Sequence, residues 1–412
     1  MLIQFSVSNF RSFRSRQTLS MVAVPRLGKR ENVFVPDLNG EKFPPLLKVV
    51  AIYGPNASGK SSLIQAMDVF MTMTKPSRDV EKPLPAKPFR FDKDLEEKPS
   101  EFEIDFISER TRYYFALSFT NERVVREELI SFPRGKETPL YKRTHTLEGE
   151  QYEFGEKFEG NEALREAWKG LTGPKQLFMT QVTSNSSEKH NQLRPPHTWL
   201  RSGLTTIDQD SLRRWTLATR TYVKRVPDQS DVIASFLREI DIPIARMTVN
   251  ETEGVNNKFD SGADEIRAAD KITKTTLTHS SNLGEADFDY SEESGGTKNL
   301  MGFWLPWITL AKGTDVLAVD ELDSSLHPKI VESLVRKHLA SSQPSQIIFT
   351  THDTHLMNTK LIRRDQFWFT ERDGSAATSL YSAYDFEGRE GEDVEKRYFE
   401  GRYRALPILK GI

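Results

Sequence analysis

The chain has 412 residues, 37% of them hydrophobic and 25 of them phenylalanine, which excludes a disordered polymer and leaves room for more than one core. Charged residues make up 28%, yet the formal net charge is only −2, so bulk electrostatics gives no reason to expect unspecific attraction to nucleic acid. The absence of cysteine excludes disulfides and thiolate metal sites. The start of the chain lacks the apolar run of a signal peptide, and no stretch approaches the roughly 18 uncharged apolar residues of a membrane span. These features predict a soluble cytoplasmic protein without a membrane association.

In chain order, Ile3, Phe5 and Val7 alternate with Gln4, Ser6 and Ser8, the pattern of a half-exposed strand. Residues 46–53 form a nearly continuous apolar run, as expected of a strand covered on both faces. A glycine-rich turn follows, then a helix from about Ser61 with Leu63, Ile64, Met67 and Phe70 at helical spacing. Residues 75–99 are rich in proline and lysine and read as a loop, and residues 102–107 and 112–119 read as strands. From about 155 to 255 amphipathic stretches such as 211–226 and 231–240 predict a compact helical insertion, since no heptad persists. The α/β pattern resumes near 275, with short buried strands at 316–319 and 347–349 and a helix between them. The expected fold class is therefore α/β, a sheet-and-helix head built from both ends of the chain. Its N-terminal part is 1–150, a mainly helical insertion or lid 151–260, and its C-terminal part 261–412.

Residues 53–62 contain Gly54-x4-Gly59-Lys60-Ser61, between a buried strand and a helix. Such a loop, Gly54, Pro55, Asn56, Ala57, Ser58 and Gly59, curls its backbone N–H groups around phosphates, and the helix N-terminus adds favourable partial charge. Lys60 would reach the β- and γ-phosphates of ATP, Ser61 would ligate Mg²⁺, and Ser62 continues the cradle. An ordinary glycine turn is the competing reading. Asp320 ends the run 316–319, where its carboxylate can hold Mg²⁺, and Glu321 beside it can act as general base on the attacking water. Acidic residues often end strands, so this pair gains meaning from the first motif, 259 residues away (320 − 61). Ser294, Gly295, Gly296 and Thr297 precede an apolar helix that contains Pro306, which predicts a kink or restart. Small residues at a helix start admit a phosphate, and the target of this loop would be the ATP of a second copy. By itself the tripeptide is a common loop. His352, just past the strand 347–349, would contact the γ-phosphate; alone it would read as structural.

These four elements, in this order, resemble the ABC-type ATPases that include the SMC, Rad50 and RecF proteins. The blocks MLIQFSVSNFRSFRSRQTLSMVA, PSEFEIDF, ESGGTKNL, DELDSSLHP and YFEGRYRALP are similar to the AAA15 family of abortive-infection, OLD-like ATPases. The resemblance covers about the first 130 and last 140 residues. It implies ATP and Mg²⁺ as ligands and a homo-oligomer with ATP sandwiched between heads, Ser294 to Thr297 closing on the partner's nucleotide. It also implies a linking loop at Asp323-Ser324-Ser325-Leu326 and a nucleotide contact by Arg11. Thr297 stands where related proteins more often carry glutamine, and for the loop that couples Mg²⁺ to the lid Gln181 is the weak candidate. The resemblance further implies a separately encoded effector, a TOPRIM-type or HNH nuclease, in bacterial anti-phage defence. The 60 residues after His352 (412 − 352) hold no clustered carboxylates beyond Glu387, Glu390, Glu392 and Asp393, in a glycine-rich loop. The expectation from this remainder is that it is too short for a TOPRIM domain and that an effector comes from elsewhere. A RecF-like ATPase acting directly on DNA is the alternative, and Arg213, Arg214, Arg220, Lys224 and Arg225 are its candidate phosphate-binding face.

Overall fold

A computed structural model describes the chain except residues 77–80, 186–189, 254–265, 269–270, 314, 325, 358–359, 390 and 408–412. Contacts divide it into two units, the first Met1–Thr206 with Gly313–Glu321 and Arg336–Ile412, the second Ile207–Lys312 with Leu322–Val335. The division thus falls at 207, within the stretch read from the sequence as one insertion, and again inside a helix.

The elements of the N-terminal stretch are β1 (Leu2–Ser8), β2 (Gln17–Ser20), β3 (Val33–Phe34), β4 (Leu46–Leu47), β5 (Val49–Tyr53), α1 (Lys60–Met73) and α2 (Lys93–Glu96). There follow β6 (Ser100–Ser108), β7 (Thr111–Phe119), β8 (Val124–Phe132), β9 (Thr138–Thr146), β10 (Gly149–Phe154), α3 (Glu162–Leu171), α4 (Phe178–Asn185), α5 (Arg194–Ser202) and β11 (Leu204–Ile207). Next come α6 (Gln209–Arg225), α7 (Gln229–Glu239), β12 (Ile244–Glu253), β13 (Ile266–Ala268), β14 (Lys271–Ser281), β15 (Gly284–Asp289) and α8 (Gly295–Leu310). The chain closes with β16 (Val316–Val319), α9 (Pro328–Ala340), β17 (Gln346–Thr350), β18 (Phe367–Arg372), β19 (Thr378–Ser382) and α10 (Val394–Phe399).

Two large sheets and the two-stranded β3–β4 sheet build the first unit. One has the order β10-β9-β8-β7-β6-β1-β2, and its pairs are antiparallel. Period-two alternation turns one face of every strand inward, so that Leu19, Phe5, Ile104, Phe115, Leu129 and Tyr141 form one row of cross-strand neighbours. The other sheet has the order β11-β16-β17-β5-β18-β19, parallel from β16 through β18 and antiparallel at β19. The five residues of β5, mostly β-branched, are all buried, as a central parallel strand requires.

Helix α1 belongs to the core that both sheets share, which is why its apolar residues exceed a single stripe. The Phe70 ring lies 5.9 Å from those of Phe5 and Phe115 and 6.3 Å from that of Phe102. Truncating such a side chain to alanine costs about 3–5 kcal/mol, so the helix behind the phosphate loop is firmly held. The sheets also meet through backbone, because Thr378 N–H donates to the Ser12 carbonyl at 2.8 Å.

The second unit joins α6, α7 and α8 to a four-stranded sheet in which β14 pairs with β12, β13 and β15. The sequence reading of helices here holds for 209–239, whereas this sheet goes beyond it. Helices α6 and α8 approach closely at Gly302, where a Cβ would lie 2.8 Å from the Leu212 carbonyl oxygen. Helix α8 runs through Pro306 as one element, so the expected restart does not occur.

Candidate nucleotide site

The glycine-rich loop leaves the buried strand β5 and enters α1, and its geometry depends on glycine at two places. Gly54 has φ 154° and Gly59 φ 109°. A Cβ on Gly54 would lie 2.4 Å from Thr370 Oγ1, and one on Gly59 2.2 Å from Thr378 Oγ1. Strands β18 and β19 therefore press against the loop from behind and tolerate only hydrogen there. Ser58 is buried in the same contact, its hydroxyl 2.5 Å from that of Thr370 and its carbonyl accepting from Thr378 Oγ1 at 2.8 Å. Ala57 also takes a left-handed conformation, with φ 62°. Asn56 and Ala57 are exposed, Pro55 and Ser61 half-buried, and Ser62 buried.

No side chain caps the N-terminus of α1, whose N-cap is Gly59. The first N–H groups of a helix need acceptors, and a small-residue start suits an anion. Lys60 is buried and folds back over the loop, donating to the carbonyls of Gly54 at 2.7 Å and Pro55 at 3.2 Å. The residues thus fit the phosphates of a nucleotide: a curled backbone, an uncapped helix start and an ammonium above them.

The parallel register brings further candidates to the same edge. Val319 is level with Phe349, and Thr350 with Ile52, so Asp320, His352 and Gly54 all follow the carboxyl ends of neighbouring strands. Strands β16 and β5 flank β17, which separates them by about 10 Å, a span that accommodates a hydrated cation beside a phosphate chain. Asp320 Oδ1 accepts from Thr350 Oγ1 at 2.6 Å, and the same hydroxyl accepts from Glu321 N–H at 2.7 Å. Thr350 is fully buried, and the sequence reading missed it; its signal was a threonine pair ending a buried strand just before His352. Glu321 has φ 52°, a conformation rare for a residue with a side chain, which sets its direction apart from that of Asp320. His352 is exposed.

Arg11 is exposed and also left-handed, with φ 52°, and its N–H donates to the Lys87 carbonyl at 2.6 Å. Its neighbour Ser12 lies against the loop, with Oγ 2.9 Å from where a Gly59 Cβ would be. Ser294, Gly295, Gly296 and Thr297 belong to the second unit. Ser294 is the N-cap of α8, its hydroxyl accepting from Thr297 N–H at 3.1 Å, and Gly295 is exposed with nothing within 4 Å of an added Cβ. Ser325 of the linking loop lies outside the described residues. Gln181 is on α4 and lines a cavity with Thr72 and Met73, at the opposite end of α1 from the phosphate loop. The eleven-residue rise from Ser61 to Thr72 is about 16 Å, which removes Gln181 from Ser61 and the phosphate-loop end of α1.

Of the basic residues on α6, Arg213, Arg214, Lys224 and Arg225 are exposed. Arg220 is buried, its Nε donating to Thr275 Oγ1 at 2.7 Å and its guanidinium 4.6 Å from the Tyr290 ring centre, so it is no part of a phosphate-binding face. Among the described residues no helix is long and apolar enough to cross a membrane, and no three His, Cys, Asp or Glu side chains gather as a metal site.

Residues 49–358 match a family described as AAA domain, putative AbiEii toxin, Type IV TA system. Among solved structures, an SMC head bound to the C-terminal winged-helix domain of ScpA is 12% identical, with 92% of this chain and 97% of that one covered and a TM-score of 0.44. The SMC head domain from Thermotoga maritima is 14% identical, with 92% and 98% covered and a TM-score of 0.36. No curated protein matches the sequence.

Proposed function

We propose, from the premise that this chain belongs to that AAA-domain family, that it is an ABC-type ATPase whose nucleotide is closed between two copies and whose turnover controls a separate effector. The observation that carries this reading is the convergence of Gly54–Ser62, Asp320–Glu321 and His352, from both ends of the chain, on neighbouring ends of the parallel strands of one sheet. In this reading the loop N–H groups and Lys60 bind the phosphates, and Arg11 contacts the nucleotide. Ser61 and Asp320 would hold Mg²⁺, which supplies charge neutralisation to the phosphate chain. Glu321 takes a proton from a water whose oxygen bonds to the γ-phosphorus as the bond to the ADP oxygen breaks. His352 faces the γ-phosphate. Ser294 to Thr297 of the second copy complete the site.

The family description, with its putative toxin and toxin–antitoxin wording, supports the abortive-infection reading over a housekeeping one. The effector would be a TOPRIM-type or HNH nuclease. A DNA-binding ATPase is the second reading, favoured by the exposed arginines of α6 alone. It calls for steeply salt-dependent DNA affinity that falls when Arg213 and Arg214 are changed.

The test of the chemistry is Glu321→Gln. It is expected to bind ATP with Mg²⁺ as before and to hydrolyse it about 10²–10⁴-fold more slowly, the usual cost of losing a positioned base. Near-normal turnover by the purified variant would remove Glu321 from that role.

A further inference from the structure

The first unit contains a cavity of about 650 Å³ between the last turn of α1, the segment 82–85 and helix α4. That volume lies within the ~300–1,000 Å³ of small-molecule sites. Helix α4 turns an entirely polar face to it, Thr180 and Ser184 one turn apart and Gln181 and Asn185 beside them. The opposite face, Phe178, Met179 and Val182, is buried in the core.

Hydrogen bonds tie the described walls to their surroundings. The buried Glu127 carboxylate accepts from the N–H groups of Phe178 at 2.7 Å and Met179 at 3.1 Å and from the Tyr141 hydroxyl at 2.6 Å, anchoring the start of α4. Thr180 Oγ1 donates to the Thr74 carbonyl at 3.0 Å, which ties α4 to the residue after α1. Leu84 is held by two hydrogen bonds with Asn121, at 2.8 and 3.2 Å. Lys175 Nζ donates to the carbonyls of Glu81 and Lys82 at 3.3 and 3.2 Å, so it fastens the remaining wall.

Among the described lining residues the charge is one-sided. Lys75, Lys82 and Lys175 are among the lining residues, and no Asp or Glu is among those described. Lys75 follows the C-terminus of α1, where a cation also suits the helix dipole. Lys82 and Lys175 come from other segments, so the dipole does not account for the set. Three ammonium groups beside amides and hydroxyls, over a floor of Met73, Leu84 and Leu177, match a ligand with a compact anionic end and a hydrogen-bonding body.

We propose that this cavity binds a phosphorylated small molecule of nucleotide size, its phosphate among Lys75, Lys82 and Lys175 and its polar body against Gln181 and Asn185. This site is separate from the phosphate loop and does not depend on the ATPase reading. The test uses the full chain carrying Lys60→Ala, which weakens the loop, with AMP, inorganic pyrophosphate and adenosine as probes in calorimetric titrations. AMP is expected to bind and adenosine not to, and binding of pyrophosphate in place of AMP would assign the site to phosphate alone. Both Lys75→Glu/Lys82→Glu, on exposed residues, and Gln181→Trp, which fills the cavity without changing charge, should weaken the bound probe about tenfold or more. Neither AMP nor pyrophosphate binding, or binding that both cavity variants leave intact, would overturn the proposal. Absence of ATP hydrolysis would bear on the nucleotide site and not on this result.

Discussion

The hydroxyl of Thr350 spans two adjacent residues of opposite chemistry in the proposed mechanism, donating to the Asp320 carboxylate and accepting from the Glu321 backbone. Replacing it with the near-isosteric valine leaves a buried N–H and a carboxylate oxygen without that partner, at a cost of about 1–3 kcal/mol. Thr350→Val is expected to keep ATP affinity, lower the denaturant midpoint and reduce turnover, because the left-handed backbone of Glu321 loses its tether. A variant with the original kcat and reduced stability would confine Thr350 to a structural role. The signals legible at this scale were side-chain types at fixed spacing: glycines, a lysine, paired carboxylates. Thr350 was not legible, since a threonine ending a buried strand carries no chemical signature until the neighbouring strand is known.

Elements add a dependence on pH. His338, on α9, is buried against β5's approach, with Nε2 3.2 Å from the Lys48 carbonyl, while Lys48 Nζ donates to the carbonyls of Leu339 and Ser341. Burial, and secondarily the Lys48 charge, push its pKa down to about 4. The folded state therefore holds His338 neutral where the unfolded chain, with a value near 6.5, binds a proton. Its contribution to stability is complete above pH 6.5 and is lost as pH falls toward 4. Urea unfolding between pH 7 and pH 4.5 should show a falling midpoint, and His338→Gln should flatten that part of the profile. An identical profile for the variant would assign the acid sensitivity to other groups. The same helix, packed on a sheet, was legible from Ile330, Val331, Leu334, Val335, His338 and Leu339, but the contact that holds His338 was not, because Lys48 lies almost 300 residues earlier in the chain.

For the whole molecule the decisive question is whether two copies share a site. Gly295→Asp is a clean probe, since an added Cβ there meets nothing within 4 Å in its own chain. The variant should fold and bind ATP at the phosphate loop yet lose hydrolysis and ATP-dependent pairing, which sedimentation with and without ATP would show. Mixed with Lys60→Ala chains it should regain turnover at one site per mixed pair. Full activity of Gly295→Asp alone would refute the shared site. A further expectation is that the purified chain cleaves neither DNA nor RNA with Mg²⁺ or Mn²⁺ and ATP. The acidic residues considered from the sequence are used in other ways: Glu392 pairs with Arg397, and Asp393 caps α10 through Lys396 N–H at 2.9 Å. Glu390 lies outside the described residues. Cleavage that survives purification and disappears with Glu387→Gln or Glu392→Gln would overturn this expectation.

The sequence by itself determined the α/β class, the buried strand and helix around Gly54–Ser61, the strand that delivers Asp320 and the order of the motifs. Each of these is local: hydrophobic period and the chemistry of a short segment suffice to specify it. Only the tertiary structure decided that β18 and β19 form the back of the phosphate loop, that Thr350 links the Asp320 carboxylate to the Glu321 backbone, that Arg220 is interior and that Gln181 faces a cavity rather than the nucleotide edge. It also decided that the second unit contains a four-stranded sheet and that the contact boundary falls at 207. The physical reason is common to all of these. Which residues meet across sheets is set by strand order and register, and pairs such as Gly59 with Thr378 lie more than 300 residues apart in the chain, beyond the reach of any periodicity.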